Sequence, residues 1–158
     1  MNAVQFEAYL EEAIPAYAKG NVESGRWSEA ESLALSQQSY AGLLPQGLAT
    51  PDNYLYAIQD KATQDSVGMV WIAALTHGEK RIAFIYDVLV KPAYQRQGYA
   101  TRALMALEDE VRVLGLAGIA LHVFGQNTGA QALYAKLGYA PTNINMYKAL
   151  DKEPAKNA

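Results

Sequence analysis

Cysteine is absent from the 158 residues of this chain. Without a thiol, the protein can form no disulfide, no thiolate–metal site and no covalent cysteine–acyl intermediate. Long apolar runs are also missing: none approaches the length of a membrane span, and residues 1–3 begin no basic-then-apolar signal segment. We therefore expect a cytoplasmic protein with no membrane partner.

Runs of basic residues are a third absence. The net charge is −3, and no basic cluster of the kind that follows a nucleic-acid backbone is present, so we expect no nucleic-acid partner. The two histidines, His77 and His122, are too far apart in sequence to suggest a metal site, and we expect no metal. The composition is instead globular, with 51% hydrophobic and 18% charged residues. The length predicts one domain over residues 1–150 and a polar tail over residues 151–158.

The N-terminal part of the chain predicts two helices. The first covers residues 4–19, and we expect Pro15 to split or kink it. Ser28 begins a capping-box sequence, so the second helix is predicted from there to residues 41–42. The following connector, residues 43–51, is rich in proline, glycine and apolar side chains. It either packs over a binding site or serves as a packed connection between elements.

The rest of the chain predicts an α/β (α+β) fold with a mixed sheet. Three strands joined by short polar turns form an antiparallel meander, over residues 54–59, 67–75 and 82–90. A helix that begins near Thr101 leads to a strand over residues 118–124. A crossover of this length makes that strand parallel to its predecessor. Another helix is predicted over residues 128–137, and a last strand, interrupted by Pro141, over residues 139–149.

The stretch 82–104 organises these elements, because it runs from a buried strand through a loop of small and polar residues into a helix. The loop region carries Lys91, Arg96 and Arg102 and no acidic residue, although the chain as a whole is acidic. Free backbone N–H groups and the positive end of a helix dipole would meet at this point. The combination predicts an anion-binding site that suits a phosphate, and the alternative is a solvated loop.

Two motifs give this phosphate site a family context. The sequence VLVKP at residues 88–92 is followed by QRQGYA at residues 95–100. Further on, Asn127, Ala130 and the sequence LYAKLGY at residues 133–139 follow the pattern N-x-x-A-x-x-[LF]-Y-x-K-x-G-[FY]. Together they resemble the GNAT superfamily of N-acetyltransferases over residues 54–150. The N-terminal helices resemble those of a small bacterial subgroup whose substrate is undefined. One departure is that residues 1–3 leave almost no room for the strand that usually opens the family's fold.

The resemblance implies both a fold and an acyl donor. The fold would be a central mixed sheet of about six to seven strands, with the two N-terminal helices packed over it. The donor would be acetyl-CoA, with its pyrophosphate in the loop and its pantetheine arm along the strand before the loop. The residues that the resemblance assigns to acetyl-CoA are Val88, Leu89, Val90, Gln95, Arg96, Gln97, Gly98, Tyr99, Ala100, Thr101, Asn127, Ala130 and Tyr134.

The resemblance also gives individual roles to two of these residues. The family's matching tyrosine protonates the departing CoA thiolate, so Tyr134 is the expected general acid. Asn127 is expected to hydrogen-bond the pantetheine amides, and it could equally cap the following helix. Position 96 is often glycine in the family, so the role of Arg96 is open.

The general base that deprotonates the acceptor has two candidates. His122 is expected on the strand face opposite Leu121 and Val123, and its ordinary pKa lies near neutrality. Asp87 is the only charged residue in an apolar strand, so burial would perturb its pKa. Strand alternation places Tyr86 on the face opposite Asp87, so only one of these two residues is expected to face the acceptor.

The expected reaction is a direct transfer of the acetyl group to a primary amine, in a complex that holds both substrates. The acceptor side would be formed by the N-terminal helices, the 43–51 connector and the strand around Trp71 and Tyr86. A metabolite amine, a polyamine and a protein N-terminus all fit that description. Family members are often dimers, so a homodimer is an option that no sequence feature marks. The alternative from another class is a non-catalytic acyl-CoA-binding module.

Overall fold

The computed structural model describes residues 1–148, and its regular elements follow one another in a simple order. Within this range the helices are α1 (Ala3–Glu23), α2 (Glu29–Leu43), α3 (Tyr99–Val113) and α4 (Thr128–Lys136). The strands are β1 (Asn53–Gln59), β2 (Ser66–His77), β3 (Lys80–Val90) and β4 (Ile119–Leu121). Short 3₁₀ turns at Gly47–Ala49 and Pro92–Tyr94 lie in the connections before β1 and after β3.

The four strands form one mixed sheet in the order β1-β2-β3-β4. The first three strands pair antiparallel, as the short polar turns between them predict, and β4 pairs parallel with β3 after the α3 crossover. The antiparallel meander and the parallel βαβ unit predicted from the sequence are therefore both present.

Each face of the sheet carries its own hydrophobic cluster, because β2 is buried on both sides. One cluster joins Val70 and Ile72 of β2 to Leu104 and Leu107 of α3, and part of α4 packs against its margin. The apolar residues of α3 recur at 3–4 residue intervals, so one side of this helix lies on the sheet. The other cluster joins Trp71 and Met69 to the N-terminal helices. The fold is thus a helix–sheet–helix sandwich with β3 running through its middle.

The helix α1 continues through Pro15, so the expected split is wrong. Proline removes one backbone hydrogen bond, but Pro15 and Glu11 both lie on the exposed side of the helix, where water can satisfy the freed carbonyl group. The helix begins after Asn2, whose side chain accepts a hydrogen bond from the Gln5 backbone N–H at 2.9 Å. The capping box expected at Ser28 does not form, because the Ser28 hydroxyl donates to the Glu31 side chain at 2.7 Å instead.

The sheet has four strands in the described range, not the six to seven that the family resemblance implied. The strand expected at residues 139–149 does not form within 139–148, and residue 149 lies outside the described residues. Pro141 lacks a backbone donor, and residues 142–148 extend into solvent with Ile144, Met146 and Tyr147 exposed. The β4 strand is also shorter than the predicted 118–124, since its pairing with β3 ends at the pair Ile85 and Leu121.

Candidate active site

The loop between β3 and α3 presents a row of free backbone donors. None of the N–H groups from Arg96 to Thr101 donates to an acceptor within residues 1–148. Arg96 and Gly98 both adopt positive φ angles, 60° and 81°, which turn the backbone into a concave shape. The positive φ of Gly98 favours glycine, and a Cβ atom there would lie 2.9 Å from Nη1 of Arg102, so the Arg102 side chain would also have to move. These features fit a phosphate group.

Side chains of the loop hold it in this shape instead of pointing into it. Gln95 Nε2 donates to the Val90 carbonyl at 2.9 Å, and Gln97 Nε2 donates to the Ala93 carbonyl at 3.0 Å. Arg102 folds back from α3 and donates to the Gln97 carbonyl at 3.2 Å. The two glutamines therefore act on the loop backbone, and the backbone N–H groups are left for a ligand.

The strand β3 has a free edge directly before this loop. Its pairing with β4 ends at Ile85, whereas its pairing with β2 continues to Val90. Val88, Leu89 and Val90 consequently have a strand partner on only one side within the described residues. Unpaired strand edges bind extended chains by backbone hydrogen bonds, so this edge can take an extended amide-containing arm that ends in the loop.

A β-bulge in β3 brings Tyr86 and Asp87 to the same side of the sheet. Trp71 pairs with Asp87 and the next residue, Ile72, pairs with Ile85, so Tyr86 is the extra residue. The Tyr86 ring stacks on Trp71 at 4.7 Å, and Asp87 bonds to the Tyr9 hydroxyl of α1. The expectation that these two neighbours face opposite sides is therefore wrong, because strand alternation fails at a bulge.

Two tyrosine hydroxyl groups lie on the α1 side of Asp87, one bonded to its carboxylate and the second next to the first. The Tyr9 hydroxyl donates to Asp87 Oδ2 at 2.9 Å, and the Tyr40 hydroxyl lies 3.5 Å from that of Tyr9. Burial raises the pKa of the Asp87 carboxyl above its ordinary value, and the Tyr9 hydroxyl and Val88 N–H partly oppose the rise. Burial and the nearby Asp87 charge both raise the pKa values of Tyr9 and Tyr40, so these phenols stay protonated.

Tyr134 lies on α4, half-buried at the margin of the α3-side cluster. Its pKa is raised, first by burial and then by the charge of Asp87, so the two groups sense each other electrostatically. The phenol is thus a protonated donor at neutral pH. This is the chemical state that a proton donor needs.

The remaining predicted residues have simpler environments. His122 lies just beyond the end of β4 and is exposed, with its ring against the edge of Phe124 at 5.3 Å. Asn127 caps α4, since its Oδ1 accepts from the Ala130 N–H at 3.1 Å. Trp71 is only 1% exposed, so it supports Tyr86 and does not itself face an acceptor. Among residues 1–148 no group of three or more histidine or acidic side chains could hold a metal ion.

Three residues that shape this region were not predicted from the sequence. Tyr9 lies one turn from Phe6 and Ala13 on the buried side of α1, so its helical spacing was the available signal. Gly68 lies within the β2 strand, where an isolated glycine often marks a close backbone approach. Asp60, in the turn after β1, receives a hydrogen bond from the Tyr99 hydroxyl, and no sequence spacing predicts that contact.

Two grooves lie elsewhere on the surface, along the outer side of the N-terminal helices. They measure about 280 and 320 Å³, and side chains of α1 and α2 alone form their walls. Neither groove includes Asp87, Tyr134 or the loop before α3. We also find no helix in the described range that is long and apolar enough to span a membrane.

Known proteins that are similar to this chain over nearly its whole length are named as N-acetyltransferases. Uncharacterized N-acetyltransferase YycN of Bacillus subtilis (strain 168) is 36% identical over 150 residues, which cover 95% of this chain and 96% of YycN. Uncharacterized N-acetyltransferase YdgE of the same strain is also 36% identical over 150 residues, 95% of each chain. The crystal structure of YycN has a TM-score of 0.90 to this chain at 35% identity and covers 96% of both.

A shorter similarity links the chain to an enzyme with a named acceptor. The ribosomal protein bS18-alanine N-acetyltransferase of Escherichia coli (strain K12) is 38% identical over 71 residues, 44% of this chain and 48% of that enzyme. The sequence pattern of the Acetyltransferase (GNAT) family matches residues 10–139. That match and the two full-length N-acetyltransferase relatives show that the chain belongs to the GNAT family of acetyltransferases.

Proposed function

We propose that the protein transfers the acetyl group of acetyl-CoA to a primary amine by direct attack, with both substrates bound together. The observation that carries this proposal is that the β3 edge at Val88–Val90 leads directly into the N–H groups from Arg96 to Thr101, and neither has a backbone partner on that side within residues 1–148. GNAT enzymes use acetyl-CoA as donor, a molecule with an amide-containing arm attached to a pyrophosphate. The β3 edge suits the amide-containing arm, and the N–H groups of the loop that follows suit the pyrophosphate.

The loop and the strand edge would hold the donor with backbone groups. The N–H groups at the start of α3 suit the pyrophosphate, and Lys91, Arg96 and Arg102 add positive charge around it. The backbone at 88–90 would bind the arm, and an N–H group there would stabilise the negative charge that develops on the thioester oxygen. Asn127 caps α4 through its Oδ1, which accepts from Ala130, and its Nδ2 group would donate a hydrogen bond to a pantetheine amide carbonyl.

Tyr134 would supply the proton to the departing thiolate. Its raised pKa keeps the hydroxyl protonated at neutral pH, so it can donate a hydrogen bond as negative charge builds on sulfur.

Asp87 is the base that the geometry favours over His122. Asp87 lies beside the free edge of β3 and acts on Tyr134 through its charge, and its raised pKa makes the carboxylate a stronger proton acceptor. His122 lies in an exposed position beyond β4, so it would act through a bridging water. It remains the alternative base.

The acceptor would approach from the side of the N-terminal helices, where Asp87 and Tyr86 face. An anionic carboxylate flanked by aromatic rings suits an ammonium group. Small-molecule amines and peptide N-termini both present that group, and the similarity to the ribosomal-protein alanine acetyltransferase keeps a protein N-terminus among the candidates.

Thiol release from acetyl-CoA tests the proposal directly, because a protein without cysteine gives no thiol background. The amines to assay are spermidine, trialanine and phenethylamine, which represent the three acceptor classes. Tyr134→Phe should lower kcat by about 10²–10⁴-fold, the usual contribution of a general acid. Tyr147→Phe is the matched control, since the Tyr147 side chain is 92% exposed.

Unchanged turnover in Tyr134→Phe would contradict the general-acid role. Tight CoA binding without thiol release for any amine would favour the alternative, a non-catalytic acyl-CoA-binding module.

A further inference from the structure

Three tyrosines, one from each of three helices, are linked to the Asp87 carboxylate, and Tyr9 alone is hydrogen-bonded to it directly. Tyr9 of α1 donates to Oδ2 at 2.9 Å. The Tyr40 hydroxyl of α2 lies 3.5 Å from the Tyr9 hydroxyl. Tyr134 of α4 lies close enough for the Asp87 charge to raise the pKa of its phenol. Both N-terminal tyrosines are almost fully buried, with 5% of Tyr9 and 8% of Tyr40 exposed.

The hydrogen bonds in this group have a fixed direction. A phenol has one O–H, and that of Tyr9 is given to Asp87, so the contact between the two hydroxyls requires Tyr40 to donate to Tyr9. The chain of donors therefore runs from α2 through α1 to the carboxylate. Its terminal acceptor is Asp87, on the bulge of β3.

A positive partner for Asp87 is missing from the described part of the chain. The ion pairs found there join Lys19 to Glu23, Arg81 to Asp52, and Arg112 to Glu108 and Asp109. Buried carboxylates are usually paired with a cation, because phenol hydroxyls orient a charge without neutralising it. A cationic ligand would supply the positive partner that the Asp87 carboxylate lacks within the described residues.

We propose that Tyr9, supported by Tyr40, is a positioning residue that orients the Asp87 carboxylate for the ammonium group of the acceptor. This inference rests on the proposed function and adds to it a role for the two N-terminal helices. The ammonium nitrogen gives one proton to an Asp87 oxygen, so an N–H bond breaks and an O–H bond forms. The freed lone pair of the amine then attacks the thioester carbon. The Tyr9 hydroxyl keeps its own proton throughout.

Tyr9→Phe separates this role from simple packing, because it removes only the hydroxyl. Loss of a hydrogen bond to a charged group should move the acid limb of the kcat/KM–pH profile to higher pH, by about one to two units. The matched control is Tyr17→Phe, since Tyr17 lies on the same helix with its ring 6.1 Å from that of Tyr40 and has no bond to Asp87. It should leave the midpoint of the limb unchanged.

A second readout does not depend on activity. The Asp87 carboxyl carbon can be followed by ¹³C NMR titration, with its resonance assigned by its loss in Asp87→Asn. Tyr9→Phe should raise the titration midpoint by about the same one to two units. Tyr40→Phe should shift it less and in the same direction, and it serves as a second variant if Tyr9→Phe does not fold.

An Asp87 resonance that titrates at the same pH in wild type and Tyr9→Phe would overturn the proposal. So would an acid limb that is lost in His122→Ala and kept in Asp87→Asn, although acetyl transfer itself would then stand. If wild type released no thiol with spermidine, trialanine or phenethylamine, the proposed function would fail. The NMR midpoints would in that case still show whether Tyr9 controls Asp87.

Discussion

The Tyr99 side chain connects the loop between β3 and α3 to the turn after β1. Tyr99 is the first residue of α3, and its hydroxyl donates to the Asp60 carboxylate in the turn after β1. The Arg102 guanidinium lies over the Tyr99 ring at 4.6 Å, and the Tyr94 ring meets it edge-on at 5.9 Å. The Tyr99 hydroxyl and the backbone N–H groups of Thr63 and Ala62 lower the pKa of Asp60 to about 2. Because this pKa is lowered, the contact is kept at neutral pH and lost only as the pH falls towards that value.

Tyr99→Phe should weaken acetyl-CoA binding without affecting the chemical step. Loss of one anchor lets the loop and Arg102 move, so we expect KM for acetyl-CoA to rise about three- to tenfold with kcat unchanged. Asp60→Asn should have the same effect, and the double variant should add little to it. Tyr94→Phe keeps the ring contact and serves as control. A fall in kcat at unchanged KM would contradict this role of Tyr99.

The pairing of β2 with β3 decides the shape of the donor site at the scale of elements. Gly68 of β2 lies opposite Val90, and a Cβ atom on it would come within 2.2 Å of the Leu89 carbonyl oxygen. The two backbones approach closely because no side chain stands between them. The bulge at Tyr86 of β3, opposite Trp71 and Ile72 of β2, then turns Asp87 towards α1. Glycine and bulge together position the whole β3 segment that carries the proposed donor and acceptor contacts.

Gly68→Ala should both destabilise the fold and disturb the strand edge. Overpacking against a backbone carbonyl typically costs about 1–3 kcal/mol, and here it would push β3 out of register with β2. Urea denaturation measures the first effect, and KM for acetyl-CoA measures the second. Gly118→Ala is the matched control, because a Cβ at Gly118 meets nothing within 4 Å. Equal stability of the two variants would show that β2 can move away from Leu89.

The molecule as a whole holds the Asp87 carboxyl group between its sheet and its N-terminal helices. The pKa of Asp87 is raised by burial, so the folded protein binds this proton more tightly than the unfolded chain does. Below the ordinary pKa of 3.8 the group is neutral in both states and has no effect on stability. As the pH rises through the raised value, the folded state must hold a charge that water would solvate better. Stability is therefore lost in that direction, as is common where a site is built for function.

Asp87→Asn should raise Tm at pH 7, because asparagine carries no charge and can still accept the Tyr9 hydrogen bond. The difference from wild type should shrink as the pH is lowered and vanish near about pH 4. Scanning calorimetry of both proteins over this pH range measures it. Asp65→Asn, at an exposed position in the turn after β1, should match wild type throughout. A Tm difference that is independent of pH would show that packing, not charge, is responsible.

The sequence by itself determined the elements up to α4 and the location of the loop. Apolar periodicity, turn residues and the QRQGYA motif are local properties, so β1 to β3, α3 and the unpaired N–H groups lie where the pattern predicts. The roles of Tyr134, His122 and the loop residues stay predictions that the experiments above test. The last strand was wrong because a strand needs a partner, and residues 139–148 find none in the described range.

Only the tertiary structure decided which side Asp87 faces and what surrounds it. Strand alternation assigns side chains by a period of two, and the bulge at Tyr86 breaks that period through pairing with β2. Tyr9 is 78 residues from Asp87 in sequence, and Asp60 is 39 residues from Tyr99. Such contacts depend on how helices pack on a sheet, because no local spacing brings together groups so far apart in the chain.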